Sequence, residues 1–561
     1  MSQPSLEPNA TKLIDPKLQA VVQSAPVHEK DCSRSVMGRP GYWLVCFVLA
    51  LPATVPYFAH YLIGARGLVP TGFIQYDMPY YTALAHGYFS DGHFHLTYGN
   101  PFSPAYSTPR IYFQPFTLIL AVLSCCTTLS GGVIFMLVGF VAAVLCIMLA
   151  LILYRDVVGL TGPIDWIGLV VFVWGGGLLV VAGLTYSMLT HRFNAFRFDP
   201  AGGWWCLNLG RNFVYPTEAF YHALFLACII FAVRGRYFLS ALFAFLVSLS
   251  HPFTGLELLC ILCAWCSLEL VILRRKQVPL AFFLGCCALL LLHGAYYWFF
   301  LGLFPEHRSL VGQWTLSWLL RFWNYIPAYA LVAFFAVWRV RNLALAKRFF
   351  AVPHNRLLTV WFATAFALAK HDLFIRPIQP LHFTRGYIWM PLFLMGAPAL
   401  VSFLKKLCSP PVRLGHLACG VAIIGLFLFD NAAWLGSFLV RHDQGIRLTY
   451  DQTQLISWMG QAGDDKYLVV AQDPLIGYMA VVYTPLRAWR SHVWNTPQSS
   501  LRQRELDSLY LDHGFLPEWK GRPLFVVFDV THGTIDERWM IMAGGKQVFS
   551  NNSFDVFRIR P

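Results

Sequence analysis

This chain is divided by apolar runs, each close to the roughly 20 residues that a helix needs to cross a bilayer. They lie near 42–63, 131–154, 163–186, 216–233, 237–252, 254–273, 279–303, 322–339, 357–371, 386–404 and 416–438. Of 561 residues, 57% are hydrophobic and 12% charged, whereas soluble domains carry about a quarter charged residues. The expected fold is therefore a polytopic α-helical membrane protein with about eleven transmembrane helices.

Charge supplies the orientation. The formal net charge is +14, yet the basic residues form no continuous patch, so nucleic acid is excluded as a partner. They stand in short clusters between the runs, as cytoplasmic loops do. Lys30, Arg34 and Arg39 precede the first run. Arg155, Arg234 with Arg236, Arg274 to Lys276, Arg339 to Arg356, and Lys405-Lys406 with Arg413 follow later ones. All of these fall inside if the short apolar segment from Pro115 to Thr128 is an interfacial or re-entrant half-helix. Residues 1–41 then form a cytoplasmic tail and 42–440 a transmembrane domain. The N-terminus is then expected inside and the last segment outside.

Four loops reach the outer face, at 65–130, 189–215, 305–320 and 371–385. Residues 441–561 form a small external α/β domain, with strands at Tyr467–Ala471 and Leu524–Phe528, a helix at Ser499–Tyr510 and a hairpin at Phe549–Ile559. The 14 cysteines sit mainly in apolar runs without paired metal-ligand spacing, which reads as buried packing.

The first loop carries Asp77 within Gly72-Phe-Ile-Gln-Tyr-Asp-Met-Pro. Its carboxylate is a candidate general base at the membrane surface. Equally, Asp77 can cap a helix, because Pro79 suits the first helical turn. The second loop holds Arg192, Arg197, Asp199 and Arg211, with Glu218 opening the next run and Gly202-Gly203-Trp204-Trp205 between them. Arginine pairs with phosphate and aromatic faces stack on sugars, although an interfacial aromatic belt accounts for the same residues. His251 and Glu257 bring ionisable groups to membrane depth, a functional signal by default. In the fourth loop Lys370, His371, Asp372, Arg376, His382 and Arg385 gather cations on the face that positive-inside logic leaves poor in them. This cluster suits a lipid-linked phosphate at headgroup level, while snorkelling to ordinary lipid phosphates is the alternative.

The chain resembles the GT-C superfamily of membrane glycosyltransferases, which includes protein O-mannosyltransferases, aminoarabinose transferases acting on lipid A and oligosaccharyltransferase catalytic subunits. The resemblance rests on an inside N-terminus, one span, and a long outer loop with an early acid, Asp77. That loop closes in the half-helix Ile111-Tyr-Phe-Gln-Pro-Phe-Thr-Leu-Ile-Leu, a span ends on Tyr154-Arg155, and an external domain comes last. It implies a polyprenyl-phosphate- or pyrophosphate-linked sugar as donor and inverting transfer to a glycan, lipid or protein hydroxyl on the non-cytoplasmic side. Asp77 matches the family's first-loop catalytic acid, and Asp199 or Glu218 its second-loop acid. Arg385, with Arg376 and Lys370, matches the late-loop cation on the lipid phosphate. The second loop has no clear Asp-x-Asp or Glu-x-Asp pair, so a divalent cation has no clear acidic pair there, and Trp204-Trp205 is followed by Cys206 rather than Asp. Two alternatives use the same groups: a transporter or flippase of a lipid-linked glycan, and a surface-polysaccharide polymerase or ligase. No doubled half-sequence of the transporter kind occurs.

Overall fold

A computed structural model describes residues 40–560 except 65, 91, 276, 315–317, 412, 442–444, 464–465, 520 and 533–536. The expected cytoplasmic tail, with its basic cluster at Lys30, Arg34 and Arg39, lies outside the described residues.

All eleven apolar runs are helical. Among the described residues seven helices are long and apolar enough to cross a membrane: Pro40–Leu62, Gly131–Val157, Pro216–Val233, Pro252–Ile272, Leu280–Leu303, Trp389–Leu407 and Leu414–Val440. Two bent pairs raise the number to nine, Pro163–Trp174 with Leu179–Thr190 and Phe322–Arg339 with Leu343–Ala351. The runs near 237–252 and 357–371 form the shorter helices Tyr237–Ser250 and Pro353–Ala369. Along the long helices, bulky side chains such as Phe47, Leu62, Val141, Leu291, Phe334 and Val421 are exposed. Such surfaces would aggregate in water and are stable against lipid tails. The chain is an integral membrane protein.

Proline marks several helix starts, because its fixed φ suits the first turn and its missing N–H costs nothing there. Pro115, Pro163, Pro216, Pro252 and Pro353 each open a helix. The segment from Pro115 is a 12-residue helix ending at Cys126, too short to span. In the interior, Pro216–Val233 packs against Gly131–Val157 and Tyr237–Ser250, while Phe322–Arg339 packs against Trp389–Leu407.

The run near 163–186 is broken rather than continuous. Its two halves meet at 69° across Gly175–Leu178, where three consecutive glycines interrupt the apolar pattern. In a lipid environment every freed backbone group needs a partner from the protein. Asp430 accepts from the amides of Leu179 at 3.0 Å and Val180 at 2.9 Å, and also from Gly177. Phe427 and Pro327 carbonyls take the amides of Gly176 and Leu178. The Asn431 side chain donates to the Trp174 and Gly175 carbonyls, and the Trp389 indole to that of Gly176.

The C-terminal region carries a five-stranded sheet in the order Arg487–Ala488, Leu468–Ala471, Leu524–Asp529, Phe554–Ile559, Lys546–Ser550. The first three strands run parallel, and the last two form an antiparallel hairpin. Pro474–Tyr483 is the crossover helix between the first parallel pair, and Leu506 and Leu509 of the helix Ser499–Asp512 share a buried core with Val470 and Leu524. Leu468–Ala471 is buried throughout, the pattern of a strand covered on both faces. This region is bound to the first loop. Leu68–Pro70 pairs antiparallel with Arg447–Thr449, Asn100 donates to the Asn495 carbonyl at 3.1 Å, and Arg487 donates to that of Ser103. The third loop joins as well, with the Trp314 indole donating to the Trp494 carbonyl at 2.8 Å.

Candidate active site

Asp77 occupies the N-cap position of the helix Met78–His86, but its side chain makes no capping bond. One carboxylate oxygen, Oδ1, instead accepts from Nε2 of His492 at 3.0 Å. The Asp77 side chain is 51% exposed and that of His492 only 1%. The imidazole is walled by Tyr76, Tyr80, Phe102 and Tyr478, with ring centroids 4.9–5.7 Å away. Its other nitrogen, Nδ1, faces two N–H groups, the Trp494 amide at 3.2 Å and the Asn495 side chain at 3.0 Å. Nδ1 must therefore be the acceptor, which leaves the proton on Nε2, aimed at Asp77.

A second cluster is buried. Glu218, in the first turn of the helix Pro216–Val233, pairs with Arg211 and, at 3.4 Å, with Arg385. Arg385 reaches the site from the loop before Trp389–Leu407. It donates to the Tyr221 hydroxyl and, at 2.6 Å, to Nδ1 of His382. Burial, with Arg385, His251 and Arg211 beside it, holds the His382 imidazole well below its usual range. His382 is consequently a neutral acceptor for the guanidinium. The Trp205 ring lies under both arginines, 4.6 Å from Arg211 and 4.5 Å from Arg385, the cation–π geometry. Burial opposes the charge on Arg385, but Glu218 and Tyr221 more than restore it, raising its pKa. Two guanidiniums face one carboxylate, and Arg385 Nε is buried without a hydrogen-bond partner among the described residues. The ion pairs thus leave one guanidinium donor free, which suits a phosphate oxygen.

Tyr81 connects the two clusters. It sits one helical turn after Asp77, bonds to Thr217 and lies within electrostatic range of Asp77, Arg385 and Glu218. Tyr215 likewise senses Asp77, Arg211, Glu218 and Asp199.

The other residues singled out in the sequence divide. His251 belongs to the buried cluster: it caps Pro252–Ser267 through the Thr254 amide and stacks on Tyr221 at 4.7 Å. Glu257 is fully buried, neither oxygen has a hydrogen-bond partner among the described residues, and Arg385 is in electrostatic range. Asp199 lies at the margin and accepts from the Trp204 amide at 2.8 Å. That amide is presented by a left-handed Trp204, φ 54°, a conformation bulky residues rarely adopt and one often found at functional sites. Burial pushes the Asp199 carboxyl up to about 8, against the pull of the Trp204 amide and Arg211.

Three of the fourth-loop residues are not brought to Arg385. Lys370 is occupied by Asp372 and the Leu320 carbonyl, each at 3.0 Å. His371 ties its own loop, bonding the Leu368 carbonyl and accepting from Ile378. Arg376 is exposed. Sequence proximity placed them together, but the turn from His371 to Pro380 directs them elsewhere. Conversely, Tyr221 and His222 share Glu218's helix face at i+3 and i+4, a relation readable from the sequence. His222 joins the cluster through the Arg385 carbonyl at 2.9 Å. His492 had no local signal. Among the described residues no group of three or more His, Cys, Asp and Glu is placed to hold a metal ion.

No protein-family model and no curated protein matches the chain. Among solved structures it is similar to the Archaeoglobus fulgidus oligosaccharyltransferase in its apo form, with 12% identity and a TM-score of 0.48 over 87% of this chain and 70% of that one. It is also similar to ArnT from Cupriavidus metallidurans bound to undecaprenyl phosphate, with 12% identity and a TM-score of 0.42 over 92% of this chain and 98% of that one. Neither likeness assigns a role to any residue.

Proposed function

We propose that this chain is a membrane glycosyltransferase of the GT-C type. It crosses the bilayer eleven times with an inside N-terminus, and residues 441–561 form an external domain of the cell envelope. The donor is a sugar on polyprenyl phosphate or pyrophosphate, and the acceptor bears a hydroxyl. Asp77 takes the proton of that hydroxyl as it attacks the anomeric carbon with inversion. Arg385, with Arg211, holds the lipid phosphate and stabilises the charge that develops as it leaves. Of the other second-loop and membrane-depth groups, Glu218 keeps both guanidiniums in place, and His251, Glu257 and Asp199 shape the pocket.

The observation that carries this reading is the pairing of a half-exposed carboxylate with a buried, cation-rich cluster, joined by Tyr81. A base and an anion site are what transfer from a phosphate-linked donor requires. The transporter reading draws on the broken helix, since unwound segments of transporters supply free backbone groups to a substrate. Here the groups of the break are taken by Asp430, Asn431, Phe427, Pro327 and Trp389.

The test is sugar transfer by the purified protein from short-chain polyprenyl-phosphate sugars to a panel of hydroxyl acceptors. Asp77→Asn should lower transfer by about 10²–10⁴-fold, the usual worth of a general base. Undiminished transfer by Asp77→Asn removes the catalytic assignment. Movement of labelled lipid across vesicles without transfer replaces the enzyme with a flippase.

A further inference from the structure

We infer that His492 is a positioning residue for Asp77, and that the C-terminal region thereby completes the catalytic centre. The inference rests on the glycosyltransferase reading and adds to it a role for a region the transfer chemistry does not otherwise need.

Asp77 stands at a helix start without a capping bond, so nothing on its own element fixes its rotamer. The bond from His492 does. Oδ1 is engaged at 3.0 Å, which leaves Oδ2 as the oxygen available to an acceptor hydroxyl. His492 is held in turn by the Trp494 amide, the Asn495 side chain and a wall of four aromatic rings. Its segment is anchored from both sides: Asn100 of the first loop holds the Asn495 carbonyl and Gln313 of the third loop that of Thr496. Such a support makes a catalytic side chain precise.

The same hydrogen bonds exclude a proton relay. A relay needs Nε2 to take the proton from Asp77 and Nδ1 to pass one on. Nδ1 instead meets two N–H donors and, among the described residues, no acceptor. In the step itself, the acceptor oxygen bonds to the anomeric carbon, the bond from that carbon to the phosphate oxygen breaks, and the phosphate keeps the electron pair. The hydroxyl proton ends on Oδ2 of Asp77. His492 neither gains nor loses a proton throughout.

His492→Gln retains an N–H donor for Asp77, whereas His492→Phe retains only bulk. His492→Phe should lower kcat by about 10- to 100-fold, the range for removing an orienting partner of a functional group, with the donor KM unchanged. His492→Gln should restore most of it. On the Asp77→Asn background His492→Phe should cost little more, because paired residues are non-additive. Wild-type rates in His492→Phe overturn the inference, as does a His492→Gln variant no better than His492→Phe, or a loss that multiplies with Asp77→Asn. If wild type transfers no sugar to any acceptor, the functional reading fails separately. The pairing is then decided by NMR of ¹⁵N-histidine-labelled full-length protein. The Nε2 proton assigned to His492 should shift on Asp77→Asn, and an unmoved resonance overturns the pairing.

Discussion

Asp430 accepts the amide of Val180 at 2.9 Å across 250 residues of sequence. Together with the amides of Leu179 and Gly177, this carboxylate serves as the N-cap that the second half of the broken helix lacks. Removing it strands several backbone donors away from water, and each such donor costs about 1–3 kcal/mol. Asp430→Leu should therefore abolish folded yield or lower the Tm in detergent sharply. Asp430→Asn, which keeps an acceptor, should lose less. Equal Tm values for wild type and Asp430→Leu would contradict this account.

Glu218 is the counter-charge for two buried guanidiniums. Breaking a buried pair by removing one partner costs about 3–5 kcal/mol, because the charge left behind is uncompensated. Glu218→Gln should show that loss in thermal unfolding. Added phosphate should recover part of it if the cluster binds anions, since a ligand of the folded state stabilises it.

Arg385 and Arg376 are nine residues apart in sequence, but only Arg385 is buried in the cluster. Lysine cannot reproduce the fork that reaches Tyr221, His382 and the Trp205 face. Arg385→Lys should therefore lower kcat/KM for a lipid-phosphate donor by about 10²-fold or more, the scale of losing one stabiliser of transition-state charge. Arg376→Ala should stay within about twofold, as an exposed surface substitution does. Steady-state kinetics with one donor compares the two directly.

Asp199 offers a pH test. Burial raises its carboxyl to about 8, above the value of about 3.9 in an unfolded chain. The folded state thus binds the proton more tightly. The stability this contributes is complete below about pH 3.9 and is lost as pH rises through about 8. Asp199→Asn should flatten that decline in Tm between pH 5 and 9 and leave the variant the more stable of the two above pH 8. A parallel pair of curves would reject the assignment.

What was legible in the sequence follows how far each interaction reaches along the chain. The apolar runs appeared as helices, and the half-helix from Pro115 appeared at its expected length, because hydropathy and proline act locally. The strands around Val469 and Val526 and the helix from Ser499 were readable for the same reason. The run near 163–186 looks continuous by hydropathy, although Gly175-Gly176-Gly177 announces its break, since a window average hides three glycines among valines and leucines. Arg211, Glu218 and Arg385 were each singled out, but their meeting depends on how two helices pack. Lys370 and His371 were grouped with Arg385 by proximity in sequence, and the intervening turn separates them. His492 looks unremarkable in its own segment and acquires meaning only through a contact 415 residues away.

That distance sets the order in which the molecule can become competent. Asp77 is synthesised 415 residues before His492, and the strand pairing of Leu68–Pro70 with Arg447–Thr449 must also wait for the later segment. A nascent chain can insert every apolar run and still hold an unsteadied carboxylate. Under the proposed mechanism, a chain interrupted before His492 would hold Asp77 without the bond that orients it.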